Sequence, residues 1–106
     1  MTLDEQYQKI IDDQRTYLLK LQDDFNKKCD EAKARAQEKL KGIPEENKEA
    51  REDVLQAQKE ELEEALHILK SEVNHSTRTT MKQLEEIVRQ KEEKVLADLE
   101  AQIAKL

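Results

Sequence analysis

Two Glu-x-x-His spacings stand in the second half of the chain, Glu64 with His67 and Glu72 with His75. A glutamate and a histidine three residues apart share one helix face, the arrangement with which di-iron carboxylate bundles hold their metal. Those bundles draw the two motifs from different helices. Here both fall on one segment, eight residues apart, and point away from the apolar residues Leu62, Leu66, Leu69 and Val73, so no metal site is expected. The adjacent acids Asp12-Asp13, Asp23-Asp24 and Glu60-Glu61 are the other candidates for chemistry. General acid–base work needs carboxylates whose pKa is shifted in a sheltered cleft, and adjacent acids on a charged helix are solvated. There is no glycine-rich phosphate cradle and no scaffolded Ser/His/Asp grouping. The expectation is a protein that is not an enzyme and carries no cofactor.

The lone cysteine, Cys29, cannot staple the fold, and no Cys/His spacing makes a zinc site. Its place on an apolar row reads as packing, with a cross-chain disulfide or a reactive thiol as the sharper alternative. Asn74-His75-Ser76 matches a glycosylation sequon but is read as a chance match. The start of the chain is polar and acidic, unlike a secretory signal, and no apolar run is long enough for a membrane span. Together these lead to the expectation of a cytoplasmic protein.

Such side chains must be carried by helices. The 106 residues include one Gly and one Pro, with 42% charged and 36% apolar residues. Sheet folds need turn residues repeatedly, whereas this composition is that of long helices and coiled coils. The net charge of −6 argues against nucleic acid, which requires a concentrated basic surface. Charge is unevenly spread: −3 over 1–26, +3 over 27–42, −6 over 43–72 and balanced over 73–106.

Thr2 and Glu5 form a capping box that starts the first helix near residue 3. Gly42 suits a left-handed residue just past a helix end, and Pro44 suits the first turn of the next helix. Lys39 and Lys41 before the break and Glu45 and Glu46 after it complement the helix dipoles. The spacing therefore predicts one all-helical domain over 1–106: helix 1 over about 3–41, a turn at 42–44 and helix 2 over about 45–105. The second helix has a candidate break at 74–80, where Asn74, His75, Ser76, Thr77, Thr79 and Thr80 are weak helix formers, each losing roughly 0.5 kcal/mol relative to Ala.

Apolar residues recur every eleven positions. Leu3, Gln14, Phe25 and Ala36 make one row; Tyr7, Leu18, Cys29 and Leu40 a second; Ile10, Leu21, Ala32 and Ile43 a third. Leu62, Val73, Leu84, Val95 and Leu106 continue the period in the second half, accompanied by Leu66, Thr77, Val88 and Leu99. Eleven residues in three turns favour nearly straight helix packing. The fold expected is all-α, a long-helix antiparallel coiled-coil hairpin with a C-terminal helical extension; a bend at 74–80 would give a three-helix bundle instead. Folding back at 42–44 places Ala36 opposite Ala50, Ala32 opposite Val54, Cys29 opposite Ala57 and Leu21 opposite Leu66. The first helix would then end opposite residue 84, and Thr77 and Thr80 would set register from the stripe.

That leaves Leu84, Ile87, Val88, Val95, Leu96, Leu99, Ile103 and Leu106 without an internal partner, and they are the expected protein interface. The function expected is a structural or interaction module that forms a homo-oligomer, a dimer, or docks another helical protein through this stripe. The alternative is a reversible lipid-surface binder, with Lys27, Lys28, Lys33, Arg35, Lys39 and Lys41 as the basic stretch. Its apolar face, Cys29, Ala32, Ala36 and Leu40, is a poor one for insertion.

Overall fold

The computed structural model describes residues 1–106 and contains two α-helices and no strand, α1 (Leu3–Lys41) and α2 (Lys48–Ala104). The chain is an all-α helical hairpin. No helix is long and apolar enough to cross a membrane. At the start of α1 the Glu5 amide donates to Thr2 Oγ1 over 3.1 Å, and the Gln6 amide to the Thr2 carbonyl over 3.0 Å. The predicted cap is present, although the Glu5 carboxylate accepts from the Thr2 hydroxyl rather than from its backbone.

The chain forms two compact units, residues 18–73 and residues 1–17 with 74–106. In the first, the turn between the helices is longer than predicted, which has two causes. The Asn47 amide closes a turn onto the Pro44 carbonyl over 3.0 Å, so Pro44 opens that turn instead of α2. Asn47 then caps α2, its Oδ1 accepting from the Ala50 amide over 3.2 Å, as a short polar side chain does at an N-cap. Nor is Gly42 left-handed: no residue has positive φ. The helix closes through tight bonds from Gly42 to the Lys39 carbonyl and from Ile43 to the Leu40 carbonyl. Arg51 donates to the Leu40 and Ile43 carbonyls at 3.1 and 3.0 Å. A cation thus meets carbonyls at and just beyond the negative end of α1, where a left-handed glycine was expected.

A consequence follows for Gly42. A Cβ built there meets only the Lys39 carbonyl oxygen, at 3.7 Å, and its φ needs no glycine. Gly42→Ala should therefore stabilise the protein by about 0.4–1 kcal/mol through the unfolded chain, read as a raised denaturant midpoint. A loss of stability would restore the left-handed cap.

All twelve positions of the three eleven-residue rows, eleven on α1 and Ile43 just past it, are buried or half-buried. Ala32 and Ala36 are the most enclosed, at 2% and 6% exposure. Small side chains there let two helices approach closely, and larger ones such as Phe25 and Leu21 fill the seam further along. On α2 the matching face of this unit is Ala50, Val54, Gln58, Leu62, Ala65 and Leu69. Ala57, Leu66 and Ile68 are exposed, so the expected pairings of Cys29 with Ala57 and of Leu21 with Leu66 do not form. The longer turn displaces the register: Arg35 pairs with Glu61, and Leu21 and Phe25 share a groove with Ala65, Leu69 and Glu72.

The second unit packs residues 1–17 against 74–106. α2 is helical throughout 74–80, so the bend and the three-helix bundle are not realised. Every third or fourth residue of the stretch earns its place on the seam: Val73, Ser76 and Thr80 are half-buried. Thr79 bonds its hydroxyl to the His75 carbonyl one turn back over 3.0 Å, which satisfies that hydroxyl within the helix.

Candidate functional site

The residues singled out for metal chemistry, Glu64, His67, Glu72 and His75, are all exposed on α2. The acid pairs Asp12-Asp13, Asp23-Asp24 and Glu60-Glu61 are exposed as well. One acid has a shifted titration. Glu86 is held below the ordinary carboxylate range by hydrogen bonds from Arg89 and then Gln90, and Arg89 is raised by the Glu86 hydrogen bond. Arg89 also reaches Glu93. These are i,i+3 and i,i+4 pairs on an exposed helix surface, which brace the helix and are lost as acid protonates Glu86 through its lowered pKa. Cys29 is free and half-buried on the seam. The face that would serve lipid insertion contains the two most buried residues of α1, Ala32 and Ala36, and is occupied by the seam.

In the unit of 1–17 with 74–106, a polar layer interrupts the apolar seam. Ser76 and Thr80 both donate hydroxyls to Gln14 Oε1, at 2.6 and 2.9 Å. Thr80 therefore lies on the seam, the position from which a register role was expected. Thr77 does not: it is exposed, and its place is taken by Ser76. Beyond this layer α1 covers more of α2 than the sequence suggested. Ile87 is buried at 9% exposure, Leu84 is half-buried, and Lys91 reaches Asp4 over 2.6 Å. Leu84 and Ile87 thus belong to the internal seam, because the shifted register brings the start of α1 opposite them.

The remaining interface residues lie off the seam. Val88 follows Ile87 by one residue and so sits about 100° round the helix. Val88, Val95, Leu96, Leu99, Ile103 and Leu106 are 44–105% exposed, and with Met81 they line one side of α2. Two open depressions mark this side. One, of about 360 Å³, lies between Tyr7 and the side chains of Met81, Leu84 and Val88. The other, of about 370 Å³, runs along Val88, Lys91, Val95 and Leu96. A larger groove of about 730 Å³ lies beside Ile10, Gln14, Thr80 and Ile87; Lys9, Asp13, Lys82 and Glu86 at its border carry both signs of charge and converge on no common point. The site best defined is therefore an apolar helix face. The chain matches no protein-family model, no curated protein and no solved structure.

Proposed function

We propose that this chain is a non-enzymatic helical interaction module that self-associates or docks a partner helix through the apolar stripe of 88–106. The observation that supports this is the run of large aliphatic side chains left exposed on one side of α2, while the rest of that segment is charged residues, alanine and glutamine. An exposed apolar stripe of this kind, here interrupted by Glu85 and Glu92, marks interaction sites in proteins that remain dispersed. Burial of each large aliphatic side chain is worth roughly 1.5–3 kcal/mol, so association is the stable outcome for six of them in a row. A reducing compartment such as the cytoplasm fits the single free Cys29.

Leu99→Asp is the test. Leu99 is 48% exposed and outside the seam, so the helices should keep their circular dichroism, while the species above monomer mass expected of the wild type should dissociate. A weakening of about a hundredfold or more is expected, the loss of a buried leucine from both copies. An unchanged mass distribution would remove the stripe from the interface. A large gain of helicity on anionic liposomes would favour lipid binding in its place.

A further inference from the structure

We infer that the occupant of the stripe is a second copy of this chain, running antiparallel with Val88 opposite Leu99 of the second copy. This rests on the stripe being the association surface and adds its orientation and register. In that register Met81 faces Leu106 of the second copy, so each end of one stripe meets the other end of the next. The depression between Tyr7, Met81, Leu84 and Val88 then receives Ile103 and Leu106 of the second copy.

Charge selects this arrangement. Lys91 and Asp98 flank the stripe on the same side, two turns apart, and antiparallel pairing brings Lys91 of each copy to Asp98 of the other. Asp98 is exposed and has no ion pair within its own chain. Lys91, bound to Asp4 on one side, can take the second carboxylate on the other. Parallel pairing in register would instead stack Glu92 on Glu92 within the stripe and set Lys91 beside Leu96, whereas the antiparallel register separates the two Glu92 carboxylates, each level with Val95 of the second copy. On the far side of the stripe, the antiparallel register lays the aliphatic stems of Arg89 and Lys82 over Leu96 and Ile103 of the second copy. The area suffices. Seven side chains from Met81 to Leu106 are exposed at on the order of 100 Å² each, near the roughly 800 Å² per partner of a standard interface.

The full chain with Cys29→Ala and Lys105→Cys carries one nitroxide label per copy. Sedimentation should give twice the 12.5 kDa chain mass, and pulsed spin-resonance should place the two labels about 35 Å apart, the axial offset of this register at 1.5 Å per residue. Asp98→Lys should weaken the dimer about tenfold, and Lys91→Glu added to it should restore affinity to within about threefold of the wild type. A dimer whose labels lie within about 20 Å is parallel and overturns the inference, while association through the stripe stands. An affinity indifferent to Asp98→Lys overturns the register in the same way. A wild-type chain that stays monomeric at millimolar concentration overturns the inference together with self-association through the stripe, and leaves a partner helix as its occupant.

Discussion

Ala32→Leu should destabilise the unit of 18–73 by about 2–3 kcal/mol, at the upper end of the cost of overpacking a filled site. Ala32 is 2% exposed, Ala36 one turn on is 6% exposed, and both lie where α1 and α2 run closest to the turn. Helix separation is set by the side chains at the contact, within roughly 8–10 Å. Three added carbons have nowhere to go except between the helices. Forcing the helices apart there also loosens Cys29 and Val54, half-buried on the same seam, so the cost exceeds the local clash. Ala34→Leu supplies the comparison: Ala34 is exposed and the same chemical change should stay within about 0.5 kcal/mol of neutral. Urea unfolding followed by circular dichroism reads both. Equal midpoints for the two variants would mean that the seam does not pass through Ala32.

The contrast between Ala32 and Ala34 also shows what the sequence made legible. An eleven-residue period fixes the phase of a helix face, and in α1 the rows share one face, so all eleven of its row positions, with Ile43 beyond it, are buried or half-buried. In α2 the same period runs through two neighbouring rows. Leu62, Val73 and Leu84 are half-buried, whereas Leu66, Val88 and Leu99 of the accompanying row are exposed. Periodicity is identical for both rows and cannot tell which of them meets α1. What decides it is the exit angle of the turn, and that depends on Asn47 winning the N-cap from the residues around Pro44. Both are acceptable helix openings by type; the competition is settled by the Asn47 bond to Ala50 and by Arg51 binding the end of α1. Arg51 could not be found from spacing, since its partners are backbone carbonyls from the preceding helix. The same displacement moved Leu84 and Ile87 from the expected interface into the internal seam, and left the residues from Val88 onward as the candidate site.

The polar layer at Gln14 should respond to substitution in opposite directions, depending on how much of it is removed. Gln14→Leu alone takes the one acceptor from the Ser76 and Thr80 hydroxyls, which are half-buried. Two hydroxyls then face an apolar side chain, and the unit of 1–17 with 74–106 should lose about 1–2 kcal/mol. The triple variant Gln14→Leu/Ser76→Ala/Thr80→Val removes donors and acceptor together. A hydrogen-bonded group replaced on both sides by apolar atoms costs little, while the new leucine and valine join Ile10 and Ile87 in one continuous seam. Stability should rise about 1–2 kcal/mol above the wild type from that burial. The gain should carry a loss of definition. The sequence repeats every eleven residues on both sides of the layer, so an all-apolar seam is nearly as well matched when one helix slides along the other. Gln14, with two donors converging on a single oxygen, satisfies them in one register only, the use to which buried polar residues are put in other coiled coils. Amide exchange in residues 10–17 and 76–87 should therefore quicken in the triple variant even as its unfolding midpoint rises. A triple variant less stable than Gln14→Leu would show instead that the layer contributes stability and that register is held elsewhere, with the Asp4–Lys91 pair as the next contact to break.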